Sequence, residues 1–534
     1  MIMKTGYAFL SAALLLVSAP LSAQGIKQSV EVTNEYVGRF ADFQKQGPTM
    51  SVPDSLYSFD YSFDYSVFES PYRGAYEFTP YEIKLTPDPI AYDGRKFALR
   101  AGAGYTLHPV LYAAYTPICR TDLGLSIYNR GRGYYGRSWY DLRDEFGVSG
   151  HYLSNIGRLR YSASYDGGFA GNADARSSYH SGGLSADLTS PDRSGSFFAY
   201  KFKLDYRYGT DGVYSSLAVP AAGMLYMGNV GEHDFRLGGS LGPVLDEQYR
   251  FLLDFNFNML FLSDGRDGWD GRSAGLATLT PHLSFLLGIV DLDAGLRLDY
   301  LTSTSSFTLV PVLKASLELE NLGMKLYAGM DGGRRLNSYY SLKTLNSLYQ
   351  RSAGPDASRE RVNFYGGVQG KAGSYLQYAL KGGYALMDDA PLDAAPYGLG
   401  FASYKLAYAD LSLDWISERL TADGRLHFAH TAFSSEPNLF APAMFSGDLS
   451  IKYNWLRRIY AGITAEGASV RRSANAATDD IPGYVDLGLC GEYRFNSRWG
   501  VWAHLGNLIG MSIERHPGCV EKGPYFTAGI TLNL

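Results

Sequence analysis

YRFLLDFNFNMLFLS, residues 249–263, is the stretch whose reading decides the fold. Tyr249, Phe251, Leu253, Phe255, Phe257, Met259 and Phe261 fall on one parity. Arg250, Asp254, Asn256 and Asn258 fall on the other, with Leu252 the apolar exception between them. A period of two is that of a β-strand, whose successive side chains point to opposite faces. One face is apolar or aromatic along roughly 40 Å of strand at about 3.4 Å per residue, enough at about 45° of tilt to cross a bilayer's hydrocarbon core. The other face carries charges and amides that a dry core would not accept unpaired. A strand greasy on one side and wet on the other suits a transmembrane β-barrel with a polar lumen. A soluble sandwich strand also alternates, so the decision rests on recurrence and on what precedes the pattern.

The pattern recurs. Phe198, Tyr200, Phe202, Leu204, Tyr206 and Tyr208 alternate with Ala199, Lys201, Lys203, Asp205 and Arg207. Leu292, Ala294, Leu296, Leu298 and Tyr300 alternate with Asp291, Asp293, Gly295, Arg297 and Asp299. Phe445, Leu449, Ile451, Tyr453 and Trp455 alternate with Ser446, Asp448, Ser450, Lys452 and Asn454. Aromatics gather at the ends of these apolar rows, where the girdles of a membrane barrel lie. The inward set, Lys201, Lys203, Asp205, Arg207, Arg250, Asp254, Asp293, Arg297, Asp448 and Lys452, interleaves both signs and predicts a charge network across the lumen.

The chain begins like an export signal: Lys4 is the positive n-region, residues 7–17 the apolar core, and Leu21-Ser22-Ala23 the cleavage site. That core is too short to span a bilayer as a helix, and no later apolar run is long enough either. The net charge of −5 argues against nucleic acid as a partner. Three cysteines, Cys119, Cys490 and Cys519, are an odd and irregularly spaced set, so no disulfide framework is expected.

From residue 93 onward alternating runs come at about twenty-residue intervals, and the count gives an all-β, closed antiparallel barrel of about 22 strands. It runs from residues 96–105 to residues 525–534. Short connections at 154–158, 189–194, 320–323 and 496–498 alternate with longer ones at 130–145, 210–228, 264–273 and 336–361, as short periplasmic turns alternate with outer loops. Between Tyr404 and Trp415 the apolar phase slips near Ala409, which predicts a β-bulge there.

About 22 strands, together with the C-terminal stretch, resembles the barrel of TonB-dependent outer-membrane receptors. Leu505-Gly506-Asn507-Leu508, then Pro517-Gly518, then Gly523-Pro524-Tyr525-Phe526 and Gly529-Ile530 are similar to that family's final two strands. The apolar row Phe526, Ala528, Ile530, Leu532 and Leu534 resembles the terminal signal that such barrels present to the barrel assembly machinery, with Leu534 in place of the more usual phenylalanine. The resemblance implies an outer-membrane location, contact with outer-membrane lipid, and a part in solute passage. The family's plug domain has no counterpart of sufficient length. Residues 24–92 instead read as an extended periplasmic or lumenal segment, punctuated by Pro48, Pro53, Pro71, Pro80, Pro87 and Pro89. This segment carries the repeat Tyr57-Ser58-Phe59-Asp60-Tyr61-Ser62-Phe63-Asp64-Tyr65. Val30-Glu31-Val32-Thr33 is somewhat similar to the short segment that engages TonB, a four-residue match against which stands the plainer reading of a strand start or unstructured chain. With 43 tyrosines and 61 glycines, the chain also resembles exported, plugless receptor-like barrels of Bacteroidota.

No catalytic constellation stands out among the nine histidines, and no cofactor or metal is expected. His427 and His430 face opposite sides of one strand, and Asp423 lies about 13 Å from His427 along it. Asp264, Asp267 and Asp270 in a Gly-rich loop offer oxygen ligands to Ca²⁺ but lack a distal bidentate Glu, and a solvated loop explains them as well. Arg130, Arg132, Tyr134, Tyr135, Arg137, Trp139 and Tyr140 make one candidate ligand loop; Arg334, Arg335, Tyr339, Tyr340, Tyr349 and Arg351 make another. Such groups stack on sugars or clamp anions, and they also serve as interface and loop-packing residues. Two function classes follow: passage of a solute, or a non-transporting scaffold barrel of a larger outer-membrane assembly.

Overall fold

A computed structural model describes residues 96–191, 198–215, 225–243, 249–264, 271–350, 354–433, 438–474 and 478–534. The expected export signal, the segment 24–92 with Val30–Thr33, the Asp267 and Asp270 loop, and Arg351 lie outside these residues.

The described chain closes into one antiparallel sheet of 22 strands, each paired with its neighbours in sequence. The first half comprises β1 (Phe97–Tyr105), β2 (Val110–Cys119), β3 (Leu123–Tyr135), β4 (Tyr140–Leu153), β5 (Arg158–Gly171), β6 (Ala175–Thr189), β7 (Phe198–Ser215), β8 (Leu225–Pro243), β9 (Tyr249–Asp264), β10 (Arg272–Leu287) and β11 (Val290–Leu301). The second comprises β12 (Ser306–Leu319), β13 (Met324–Leu336), β14 (Ala357–Ala372), β15 (Leu376–Asp393), β16 (Leu399–Ile416), β17 (Leu420–Phe433), β18 (Phe445–Trp455), β19 (Ile459–Ala468), β20 (Tyr484–Arg494) and β21 (Trp499–Gly506). A small hairpin, β22 (Ile513–His516) and β23 (Cys519–Glu521), stands apart before the last strand, β24 (Tyr525–Asn533). β24 pairs with β1, with Leu99 opposite Leu532. The amides of Lys96 and Phe97 both donate to the carbonyl of Leu534, at 2.6 and 2.8 Å, so the terminal residue completes the seam. Closure leaves no sheet edge, the only way β-structure can cross a bilayer.

The alternation resolves into two faces. Tyr249, Phe251, Phe257, Met259 and Phe261 of β9 are exposed on the outside, and Phe255 packs between Phe202 and Phe257 at ring distances of 6.1 Å each. The turn end carries exposed Trp415, Trp455 and Trp499, and the other end carries Tyr105, Tyr135, Tyr208 and Phe307, two aromatic girdles around an apolar band. Inside, the turn half is polar: His282 lies 2.9 Å from Asp293 and 3.3 Å from Asp254.

Two sequence expectations require correction. Residues 130–145 are not a long loop: β3 and β4 run to Tyr135 and from Tyr140, leaving a turn of 136–139. No bulge interrupts β16 near Ala409, because its register with β17 is unbroken from Tyr404 opposite Phe433 to Ile416 opposite Thr421. The apolar phase changes for another reason. Tyr404, Leu406 and Tyr408 point inward and are buried in a cluster with Ala385, Met387, Ala402, Ala429 and Leu439. The register shift that does occur lies on β15, between Met387 and Ala390. The inner wall is therefore polar toward the turn end, while toward the loop end it carries apolar rows with buried charges such as Asp211 and Glu232 set among them. Leu260, Ala274, Leu276, Leu301 and Leu336 extend the apolar rows across β9, β10, β11 and β13.

Candidate functional site: the loop-closed mouth

The apolar rows are a seat for loops. After β13 the chain folds inward through a seven-residue helix, α1 (Tyr339–Leu345). Ser338 caps it, its hydroxyl accepting from the Ser341 amide at 3.2 Å. A helix this short is marginal alone, so its contacts hold it. Tyr339, Leu342 and Leu345 recur at helical spacing and bury against Tyr179, Val230, Leu399 and Tyr349. The β8 carboxylate of Glu232 accepts the amides of Tyr339 (2.5 Å) and Tyr340 (3.2 Å), donors that no helical carbonyl reaches. At the other end Lys343 donates to Asp211 of β7 (2.7 Å), to Ser177 of β6 (2.6 Å) and to the Ser347 carbonyl (3.1 Å). The Tyr339 hydroxyl donates to the same Asp211 carboxylate at 2.5 Å. Burial holds the Lys343 ammonium below the ordinary lysine value, while Asp211 beside it works to keep the proton on. Helix and wall are thus joined by a fully enclosed ion pair whose remaining valences are met.

Other loops converge on the same end. Asp393, at the last residue of β15, receives Arg471 Nη2 at 2.9 Å, Asn346 Nδ2 at 2.9 Å and His516 Nδ1 at 3.2 Å. One wholly buried carboxylate so ties together three loops. Burial pushes the Arg471 guanidinium down to about 10, with Asp393 opposing the shift. Arg515 of β22 faces Glu466, Asp486 and Glu521 at 3.5–3.8 Å. The Asn507 motif turns the chain toward that hairpin: Asn507 sits at φ 48°, and its side chain donates to the carbonyls of Met511 (2.7 Å) and Gly523 (3.0 Å). Gly518 (φ 76°) makes the β22–β23 turn of the Pro-Gly motif.

The residues singled out from sequence distribute as follows. Tyr134 and Trp139 are buried, 5.4 Å apart, with Ala170, Leu348 and Cys519. Tyr135 lies outside, stacked on Tyr140 at 5.7 Å. Arg132, on β3, stands opposite Val110 of β2 and Arg143 of β4. Tyr349 is buried beside α1. Tyr340 donates to Asp166 at 3.1 Å and lies under the Arg207 guanidinium at 3.8 Å. Among the lumen charges, Lys201 reaches Asp187 at 3.9 Å and Lys203 reaches Asp205 at 3.0 Å, both along the wall. Arg297 reaches Asp299 at 2.9 Å and the carbonyls of Gly332 and Arg334 two strands away. These pairs run laterally; the links that reach into the lumen come through α1. His427 points inward onto Asp410, its partner across the ladder, and His430 points outward and is exposed. Sequence reading passed over Lys343, Asp211, Glu232, Asp393 and Arg471, which carry the closure. Their one signal is the inward apolar row that seats the loops. Among the described residues no group of three or more His, Cys, Asp or Glu side chains is arranged to hold a metal ion.

No family model matches the sequence, and no curated protein matches it. Solved structures do. The chain is similar to the copper transporter OprC (14% identity, TM-score 0.61, 83% of this chain and 80% of that one). It is similar to the FrpB iron transporter of Neisseria meningitidis, F3-3 variant (12%, 0.63, 82% and 81%). It is also similar to a mutant of the ferric enterobactin receptor PfeA of Pseudomonas aeruginosa (12%, 0.60, 82% and 80%). At such identities the likeness is one of fold: the 22-stranded barrel of TonB-dependent outer-membrane receptors.

Proposed function

We propose that this chain is an outer-membrane barrel of a Gram-negative bacterium that takes part in the uptake of a solute, with its outer mouth gated by its own loops. The observation that carries the reading is the enclosed Lys343–Asp211 pair, which latches an inward-folded loop to the barrel wall. A wide barrel needs such filling to avoid leakage, and a hydrogen-bonded latch on a short helix can be released as a unit. The fold is shared with receptors and transporters of copper, iron and ferric chelates, which supports transport. Residues 1–23 serve as export signal, and residues 24–92 as a periplasmic or lumenal segment. Through Val30, Glu31, Val32 and Thr33 that segment offers TonB or another envelope protein a strand to pair with.

The test is conductance of the purified protein in planar bilayers. The full chain should show small, measurable currents, and removal of residues 24–92 or release of α1 should enlarge them. Currents equal to an empty bilayer in all three forms would mean a sealed barrel and would reject passage in favour of a scaffold.

A further inference from the structure

Between α1 and the wall at β8–β10 lies a cavity of about 50 Å³. Leu260 and Leu262 of β9, Ala274 of β10 and Leu342 of α1 give it an apolar lining, with the rings of Tyr339, Tyr349 and Phe401 beside them. Its polar members are Glu232, Asp356, Asn337 and Arg272, and their charges do not cancel. Arg272 lies 3.8 Å from Asp356 and donates to the Gly354 carbonyl at 3.3 Å, so that pair is neutral. Glu232 is left over. It is 5% exposed, and its two bonds come from uncharged donors, the amides of Tyr339 and Tyr340. Its cross-strand neighbours are Gly209 and Leu262, so no cation stands directly opposite it. The guanidiniums next along the inner wall are engaged elsewhere: Arg236 pairs with Asp234 at 2.5 Å, and Arg207 lies over Tyr340 at 3.8 Å. Among the described residues no cation lies within ion-pair distance of Glu232. A buried carboxylate without a counter-charge is costly, and two hydrogen bonds fill only half of its roughly four lone-pair sites.

The size and lining of the space select what supplies that counter-charge. A cavity of about 150 Å³ holds benzene, or about 25 Å³ per heavy atom, so about 50 Å³ holds about two heavy atoms. One positive charge, two heavy atoms and an apolar part describe methylammonium. We infer that the cavity binds a primary ammonium group of that size, its charge on Glu232 and its methyl group against Leu260, Leu262 and the rings. The three N–H donors of the ammonium meet three acceptors in the lining, the carboxylates of Glu232 and Asp356 and the amide oxygen of Asn337. The rings of Tyr339, Tyr349 and Phe401 add cation–π attraction. Because α1 contributes Tyr339 and Leu342, the cation binds only while the helix is seated, and its binding tightens the mouth. The inference adds a ligand to the mouth and rests on the reading of α1 as its movable gate.

The experiment follows hydrogen exchange of residues 339–349 in the purified full chain, in neutral detergent, as methylammonium chloride is added. Sodium chloride, methanol (its neutral counterpart in size) and the larger tetramethylammonium chloride are added to parallel samples. Protection should rise linearly with methylammonium, reaching about elevenfold at about ten times the dissociation constant, while the other three leave exchange within about twofold. Ala274→Val fills the space without changing charge, and should abolish the response while α1 stays seated. Glu232→Gln keeps an oxygen for the helix amides and should abolish it too; should that change unseat the helix, Ala274→Val decides alone. Equal protection by sodium, methanol or tetramethylammonium, an undiminished response in Ala274→Val, or protection below about twofold at about 100 mM methylammonium would each overturn the inference. Conductance of the same preparations separates the two readings. Currents without methylammonium protection would reject the cavity site and leave passage standing, whereas protection without current in any form would retain the site and reject passage.

Discussion

Truncating Lys343 to alanine tests the latch most directly. The substitution leaves Asp211, which has no solvent exposure, with only the Ser177 hydroxyl (2.8 Å) and the Tyr339 hydroxyl (2.5 Å) as donors. Breaking a buried pair from one side costs about 3–5 kcal/mol, because an uncompensated charge remains. Two surviving hydrogen bonds place the cost at the low end, about 3 kcal/mol, or roughly a hundredfold in the opening equilibrium of the loop. The double variant Asp211→Asn with Lys343→Met removes both charges and keeps the volume. It should cost about 1 kcal/mol, less than the single change. Hydrogen exchange of the amides of residues 339–349 in detergent reads the difference, with the β7 amides as an internal reference. Exchange in Lys343→Ala within threefold of the unaltered chain, or a double variant as open as the single one, would refute the claim that this pair holds the loop.

Phe255→Arg puts a charge toward lipid near the middle of β9 and should cost roughly 2–4 kcal/mol of barrel stability, while Asn256→Arg points into the lumen and should cost little; equal loss of heat-modifiable barrel in both would reverse the assigned faces. Deleting residues 24–92 should leave a barrel that still inserts, since both strands of the closing seam lie beyond it; failure to recover folded protein from outer membranes would make that segment part of the barrel. Asn507→Ala loses the bonds to Met511 and Gly523 and strains a left-handed residue, about 2–3 kcal/mol in all. Asn507→Gly, which accepts that φ, should lose less, and identical unfolding midpoints for the two would remove the backbone part of the account.

The barrel was legible because its signal is local and repeated. Period-two alternation writes each strand into its own residues, and the seam between β1 and β24 follows from the even count. The site was not legible, because it is made of contacts between segments far apart in sequence. Asp211 meets Lys343 across more than a hundred residues, and Asp393 meets His516 across a similar distance. No spacing rule links such partners. Residues 130–145 misled for a related reason: arginines and tyrosines that look like loop composition stand on β3 and β4, which stay paired up to Tyr135 opposite Tyr140.

One feature of the sequence did carry the site, in a form easily mistaken for noise. Tyr404, Leu406 and Tyr408 break the outward apolar phase of β16, and a bulge is the nearest local explanation. A bulge would shift the pairing with a neighbouring strand, yet thirteen consecutive pairs with β17 keep their register. The alternative is that the inner face has changed its solvent. An inward-facing apolar row beside water would cost about 25 cal/mol per Å² of exposed apolar surface, so it persists where something apolar covers it. Leu260 and Leu262 on β9 say the same from another part of the wall, where they pack toward Leu336 and α1. Along a barrel strand, then, the point at which both parities turn apolar marks the depth at which the lumen stops being wet. In this chain that point lies partway along β9 and β16 on separate parts of the wall, and the loops that close the mouth seat themselves above it.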